Sequence, residues 1–287
     1  MSATHLPHRL AARTRRAWLL GAKAALQSCR MAGRRQSPAL HVFVSGAQRS
    51  GTNMVMDLLE RSFETTVYHE RDARAFDRYR MRPPAVIDDL VARAPGRIFV
   101  IKALCEADRL PELMARYTPA ATLWIYRDYV DVVRSSLRSF RRVAANVTAL
   151  VDDPASCDWM GRGMSPATHE RLRALHRPGM DEASRVALFW FIRNRLLFDT
   201  GLGDDPRIRR VRYEDLLADP DHHLGATFAF LGLAYRPSLG RGVTPPRQRR
   251  QQPLDLDPAV RAACEELLAE LDLGPAHHAP AACETAS

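Results

Sequence analysis

Short apolar runs alternate along the chain with segments in which apolar residues recur every three or four positions. A run that begins at His41 and the runs over residues 97–103 and 122–126 predict buried strands. Residues 52–63 have helical spacing, with apolar residues at Val55, Leu58, Leu59 and Phe63. Because strands that alternate with helices imply right-handed crossovers, we predict an α/β fold with a central parallel β-sheet flanked by helices. Ligands of such sheets collect at the carboxyl ends of the strands.

The same pattern predicts further elements along the chain. We expect strands over residues 65–68 and from Ile208, and helices over residues 83–93, 110–117, 183–198, 224–233 and 258–271. Residues 147–178 contain several prolines and glycines. We expect this stretch to be an irregular insertion that acts as a lid or faces the substrate.

The two ends of the chain differ from the middle. Residues 1–38 are basic and rich in alanine, and their longest apolar run is far too short to span a bilayer. We expect a solvated N-terminal extension, with peripheral membrane contact at most. Residues 274–287 are predicted to be a disordered tail. Residues 39–273 then form a single domain, and an apolar content of 46% is enough for a sizeable core.

The formal net charge of +9 comes almost wholly from arginine, since lysine occurs only at Lys23 and Lys102. This charge suits an anionic ligand without requiring a nucleic-acid partner. The chain has five cysteines, an odd and widely spaced set without a C-x-x-C pair. A reducing, cytoplasmic setting and the absence of a bound metal are therefore expected.

The first candidate site lies in residues 41–53, where an apolar run ends in a small-residue loop that opens a helix. The first N–H groups of a helix have no intrahelical partner and carry its positive dipole end, so this junction predicts an anion cradle. Gly46 and Gly51 have the spacing of a nucleotide P-loop, but Thr52 and Asn53 replace its lysine and its metal-binding hydroxyl. ATP or GTP hydrolysis is thus disfavoured. The cation is instead Arg49, and the hydroxyls of Ser50 and Thr52 complete the predicted contacts.

Two further motifs follow at predicted strand ends. Arg127 leaves a strand and Ser135 lies eight residues later in a helix, so both side chains can converge on one phosphate. Asp128 and Asp131 have the spacing of a capping box, which specifies the start of that helix. The third motif, Ile-Arg-Arg-Val-Arg-Tyr-Glu-Asp-Leu-Leu-Ala-Asp-Pro from Ile208, on its own predicts a strand, a turn and a capped helix.

The loop Ser-Gly-Ala-Gln-Arg-Ser-Gly-Thr-Asn resembles the 5′-phosphosulfate loop of sulfotransferases that use 3′-phosphoadenosine 5′-phosphosulfate (PAPS). The second motif resembles the 3′-phosphate motif of that family, and the third resembles its late strand and Tyr-Glu-Asp-Leu segment. The resemblance implies a P-loop-like sulfotransferase fold and transfer of the sulfuryl group to a hydroxyl or amine of a carbohydrate, lipid or small-metabolite acceptor. The PAPS-binding residues that it implies are Gln48, Arg49, Ser50, Gly51, Thr52, Asn53, Arg127, Ser135 and, beside the adenine, Tyr213. Arg247, Arg249 and Arg250 either close over the 3′-phosphate or are solvated.

The resemblance also implies a catalytic base. Many cytosolic members place a histidine two residues after a lysine, but here Leu104 follows Lys102 at that spacing. Other branches use a glutamate after the second strand, so Glu70 is the predicted base, with His69 as its rival and Glu106 a weaker one. Lys102 and Arg49 are the expected donors to the phosphosulfate.

The family's sheet further implies that the second strand lies beside the first. In that arrangement Glu70 opens onto the same crevice as residues 45–53. Two other function classes stay open on the residues alone: a P-loop-like kinase, and a non-catalytic nucleotide- or nucleic-acid-binding protein.

Overall fold

The computed structural model describes residues 21–23, 25–27, 37–140, 142–244 and 253–273. Its strands, in chain order, are β1 (Leu40–Gly46), β2 (Thr65–Tyr68), β3 (Phe76–Asp77), β4 (Arg80–Met81), β5 (Ile98–Lys102), β6 (Ala120–Tyr126) and β7 (Ile208–Arg212). Five of them form one sheet in the order β2–β5–β1–β6–β7, and every neighbouring pair is parallel. β3 and β4 form a separate antiparallel hairpin. The predicted α/β class with a central parallel sheet is confirmed.

The strand order corrects one expectation, because β5 lies between β1 and β2. Val100 of β5 pairs with Val42 on one side and with Val67 on the other. All five residues of β5 are buried, whereas Thr66 and Val67 of β2 are only partly buried. A strand that is apolar on both faces is stable in the interior of a parallel sheet, so β5 takes the inner position and the less apolar β2 forms the edge.

The helices cover both faces of this sheet. They are α1 (Thr52–Glu60), α2 (Pro84–Ala92), α3 (Leu110–Arg116), α4 (Tyr129–Ser139), α5 (Val143–Asp152), α6 (Pro166–Leu175), α7 (Glu182–Asp199), α8 (Tyr213–Ala218), α9 (Pro220–Phe230), α10 (Pro237–Gly240) and α11 (Pro258–Asp272). Short 3₁₀ turns span Ala107–Arg109 and Asp158–Met160. The predicted helices before residue 120 and after residue 180 are confirmed with bounds that differ by a few residues.

Two apolar layers lie on the two faces of the sheet. Phe43 and Trp124 belong to the larger layer, which also contains the buried face of α7. Val42 and Val44 point to the opposite layer, where the apolar residues of α1 pack. Successive side chains of a strand face opposite sides, so both layers follow from near-continuous apolar strands.

The stretch 147–178 is largely helical, and the prediction of an irregular insertion is wrong. Helices α5 and α6 pack against α7 through Val147, Leu150 and Leu172, which are fully buried. Pro166 begins α6 instead of breaking it, and Ser165 caps this helix by accepting the N–H of Thr168. A role for this segment towards the substrate stays a prediction.

Part of the predicted N-terminal extension packs on the domain. Lys23 Nζ donates to the Glu60 carbonyl (2.8 Å) and to Thr65 Oγ1 (3.1 Å), and Gln27 Nε2 donates to the Phe63 and Thr65 carbonyls (2.9 and 3.0 Å). The expectation of a solvated extension is therefore wrong for these two buried side chains.

Several predictions fall outside the part of the chain that is described. The tail over residues 274–287 and most of the basic extension lie there, as do Arg247, Arg249 and Arg250. Within the described ranges, no helix combines the length and the apolar character needed to cross a membrane.

Candidate functional site

The cradle loop lies between the end of β1 and the start of α1, at the carboxyl edge of the sheet. Gly46 has a φ of 128°, and a β-carbon there would collide with the Ile125 carbonyl of the neighbouring β6. Gly51 precedes α1 with a φ of 95°, and no side chain in the described part of the chain caps this helix end. Among the described residues, the N–H groups of Thr52 and Asn53 therefore remain open to an anion, whereas the Met54 N–H donates to the Gly51 carbonyl at 2.9 Å.

Two side chains of the loop bury a polar atom that has no hydrogen-bond partner among the described residues. Ser50 is fully buried, and neither its Oγ nor the buried Oε1 of Gln48 has a hydrogen-bond partner among the described residues. Arg49 has a left-handed backbone (φ 69°), which is unfavourable for a non-glycine residue and typical of functional loops. These buried unpaired groups fit a site completed by a ligand.

The second motif reaches the cradle through a side-chain hydrogen bond. Arg49 Nε donates to Ser135 Oγ of α4 at 2.9 Å. Asp128 caps α4 by accepting the N–H groups of Val130 (2.8 Å) and Asp131 (3.4 Å), which confirms the predicted helix start. The cap fixes where α4 begins and therefore where Ser135 lies, two turns later.

The third motif packs onto the first two. A β-carbon at Gly51 would overlap the ring of Tyr213, so this ring lies directly against the cradle. The guanidinium carbon of Arg127 lies 4.5 Å from the centre of the same ring, and Arg127 Nη2 donates to Asp131 at 2.6 Å. The structure thus brings the predicted residues Arg49, Arg127 and Tyr213 together at one edge of the sheet.

A buried ion pair lies beside the start of α1. Lys102, at the end of β5, is 2% exposed; its Nζ lies 2.9 Å from Glu70 Oε2 and donates to Asn53 Oδ1 at 2.6 Å. Burial lowers the pKa of Lys102, and the charge of Glu70 opposes this change. Although β2 is not the neighbour of β1, Glu70 still reaches the cradle edge because β5 places Lys102 between them.

The rivals of Glu70 have other surroundings. His69 lies 3.3 Å from Glu60 at the last residue of α1, far along the helix from Asn53. Glu106 is buried and accepts the Met81 N–H at 2.8 Å, and burial raises its pKa. Leu104 is buried and carries no proton acceptor in its side chain. Among these candidates, Glu70 is the one paired with Lys102.

A small group of possible metal ligands lies near the far end of α1. Asp57, Glu60 and His69 bring one ligand atom each to within 4.8 Å of one another. Such acidic groups are common without a bound ion. The expectation of a metal-free protein stays a prediction.

Two charged residues near the site make contacts that the sequence did not predict. Glu214, which follows Tyr213, contacts Arg127 and the backbone of Asp128. Arg193 is fully buried in α7 and donates to the carbonyls of Leu104 (2.8 Å) and Trp159 (3.0 Å), and burial lowers its pKa to about 10. The signal for Arg193 was an arginine within an otherwise apolar helical run. No local pattern marks the contacts of Glu214.

Three solved structures with similar architecture are sulfotransferases. They are the sulfotransferase domain from the curacin biosynthetic pathway (13% identity, TM-score 0.45, covering 86% of this chain and 100% of that chain), the sulfotransferase from Alicyclobacillus acidocaldarius (15%, 0.48, 83% and 95%), and the sulfotransferase domain of the Synechococcus PCC 7002 olefin synthase (14%, 0.49, 81% and 96%). No family model and no curated protein matches the chain.

Proposed function

We propose that this protein is a sulfotransferase that moves the sulfuryl group of PAPS to a hydroxyl or amine of a carbohydrate, lipid or small-metabolite acceptor. The observation that carries the proposal is the convergence of three separate motifs on one cradle. Arg49 donates to Ser135, and Tyr213 packs both on Gly51 and under Arg127. Residues that are 86 positions apart in the chain would not meet in this way if each motif were only a local turn and cap.

The described side chains fit the chemistry of the donor. The open N-terminus of α1, the hydroxyls of Ser50 and Thr52, the amide of Gln48 and the guanidinium of Arg49 would hold the 5′-phosphosulfate. Arg127 and Ser135 would hold the 3′-phosphate, and Tyr213 would lie by the adenine. The buried, unpaired Ser50 hydroxyl supports this assignment because a buried donor without a partner is unfavourable.

The chemistry requires a proton acceptor and a donor to the leaving group. In the proposed reaction, Glu70 accepts the proton of the acceptor's hydroxyl group while the oxygen of that hydroxyl forms a bond to sulfur. The bond from sulfur to the bridging oxygen of PAPS breaks, and 3′-phosphoadenosine 5′-phosphate (PAP) leaves with the bonding pair. Lys102 and Arg49 donate to the oxygens on which negative charge increases. The Lys102 ammonium, 2.9 Å from Glu70 Oε2, would also orient the carboxylate at the cradle edge.

The setting proposed for this reaction is the cytoplasm. Cys105, Cys157 and Cys264 are free thiols in the described part of the chain, which suits a reducing compartment. We propose no nucleic-acid partner, since the positive charge of the site is accounted for by a nucleotide with a phosphosulfate and a 3′-phosphate.

Nucleotide binding tests the proposal against its alternatives. PAP at 100 times its Kd should stabilise the fold by roughly 2.7 kcal/mol and raise Tm by about 5–10 °C, whereas 5′-AMP at the same concentration should raise it much less. A shift with Mg-ATP and none with PAP would favour the kinase. A PAP shift without transfer of ³⁵S from labelled PAPS to any acceptor in a panel of sugars, phenols and amines would favour a non-catalytic binding protein.

A further inference from the structure

The peptide bond between Arg127 and Asp128 is held from both sides by side chains of other helices. Trp190 Nε1 of α7 donates to the Arg127 carbonyl at 3.0 Å. On the opposite end of the same peptide group, the Asp128 N–H donates to Glu214 Oε1 at 3.2 Å. This peptide joins β6 to the capped start of α4, so its orientation sets the direction in which the Arg127 side chain leaves the sheet.

The same carboxylate also lies beside the guanidinium. Glu214 Oε1 is 3.7 Å from Arg127 Nε, and Glu214 Oε2 is 3.5 Å from Arg212 Nε. Asp131 accepts from Nη2 of the Arg127 guanidinium, and the ring of Tyr213 packs on its face. Glu214 therefore lies beside Nε of the Arg127 side chain and also accepts the N–H of the peptide group that joins Arg127 to Asp128.

We propose that Glu214 is a positioning residue that orients Arg127 for the 3′-phosphate and so determines the selectivity of the protein for 3′-phosphorylated nucleotides. The inference rests on the proposed function. Glu214 itself is an unsuitable phosphate ligand because its carboxylate repels an anion. Its contribution acts through Arg127, by helping to hold the guanidinium on the ring of Tyr213 and the backbone of the Arg127–Asp128 peptide in one orientation.

Two physical effects of removing Glu214 have opposite signs, which makes the inference testable. Loss of a carboxylate raises the local positive potential, and this effect alone would tighten the binding of PAP. Loss of the Asp128 and Arg127 contacts leaves the guanidinium held by Asp131 and the Tyr213 ring on a less constrained peptide, and this effect weakens the binding of PAP. The proposal requires that the second effect is the larger one.

The experiment compares the Kd values of PAP and 5′-AMP by titration calorimetry for wild type, Glu214→Ala, Glu214→Gln and Arg127→Ala. Asp215→Asn serves as the matched control, since it removes the neighbouring carboxylate in α8. We expect Glu214→Ala to weaken PAP at least tenfold and 5′-AMP less than twofold. Glu214→Gln keeps an acceptor for the Asp128 N–H, so we expect its loss of PAP affinity to be about half that of Glu214→Ala on a logarithmic scale. Asp215→Asn should retain the wild-type ratio.

A double variant separates positioning from an independent contact. If Glu214 acts through Arg127, adding Glu214→Ala to Arg127→Ala should change the Kd of PAP less than twofold. Three results would overturn this inference and leave the proposed function standing. They are fully additive losses of PAP affinity in the double variant, tighter PAP binding by Glu214→Gln, and an unchanged ratio of the PAP and 5′-AMP Kd values in both Glu214 variants. A wild-type protein that does not prefer PAP over 5′-AMP would overturn the proposed function and this inference with it.

Discussion

Replacing Glu70 by glutamine is the sharpest test of the proposed chemistry. The substitution keeps the size of the side chain and an oxygen that can accept from Lys102, but it removes the carboxylate that would take the proton. Lys102 also retains its hydrogen bond to Asn53 Oδ1 at 2.6 Å. The perturbation is therefore confined to the charge of one group at the end of β2.

The contacts of the ion pair set the expected loss of stability. Breaking a fully buried ion pair by removing one partner typically costs about 3–5 kcal/mol. Here the Glu70 side chain is 21% exposed and the amide of glutamine preserves one acceptor, so we expect a loss of about 1–2 kcal/mol. For a domain of this size that loss lowers Tm by roughly 2–8 °C. A positioned base contributes about 10²–10⁴-fold to turnover, which corresponds to roughly 3–5 kcal/mol in the barrier.

Turnover and binding should therefore separate in this variant. We expect kcat measured by ³⁵S transfer at saturating PAPS to fall by about 10²–10⁴-fold, while the Kd of PAP changes less than threefold. His69→Ala is the control, because its ring lies beside Glu60, and its kcat should stay within about threefold of wild type. A Glu70→Gln protein with near-normal kcat would refute the assignment of the base. Loss of PAP binding in the same variant would show instead that the pair with Lys102 is structural.

Three further variants test other parts of the structure. Arg49→Ala removes one charge-assisted contact worth roughly 1.5–3 kcal/mol, so kcat/KM for PAPS should fall about 10–150-fold with little change in Tm, and unchanged kinetics would contradict the cradle assignment. Burial lowers the pKa of Lys23 to about 8 from 10.5, so between these pH values the unfolded chain binds a proton that the folded chain lacks. The Tm of wild type minus that of Lys23→Met should therefore rise from pH 8 to about 10.5. A Tm difference that does not change with pH would show that Lys23 is solvated. Arg193→Met leaves the carbonyls of Leu104 and Trp159 without their donor. We expect the free energy of unfolding to fall by about 3 kcal/mol and Tm to fall by roughly 6–12 °C. A variant with wild-type Tm would show that the segment before α6 packs without this residue.

Local features of this protein could be predicted from the sequence because short-range sterics determine them. The strand over Thr65–Tyr68 has the predicted bounds, and Asp128 caps its helix as its spacing with Asp131 indicated. The cradle also follows from local chemistry, since Gly46 and Gly51 both take positive φ values at the ends of the loop. The class of fold follows in turn from the alternation of such strands and helices.

The order of the strands depended on competition among distant segments. Both β2 and β5 could have paired with β1, and the pairing was decided by which strand buries apolar side chains on both faces. That comparison involves all the strands at once, so no single stretch encodes it. The helices of residues 147–178 were missed for a related reason, because their prolines are local helix breakers while the burial of Val147 and Leu172 against α7 is a tertiary effect.

The sequence alone determined most of the segments, the anion loop and the residue types at the strand ends. Only the tertiary structure decided which of the acidic residues meets which cation. The end of β5 brings Lys102 to within 2.9 Å of Glu70, while the assignment of Glu70 as the base stays a prediction. Glu214 had no assigned role until α8 packed against the Arg127–Asp128 peptide. Charge pairing acts over a few ångströms in space, and contacts at this range between residues 32 or 86 positions apart have no periodic signature in the chain.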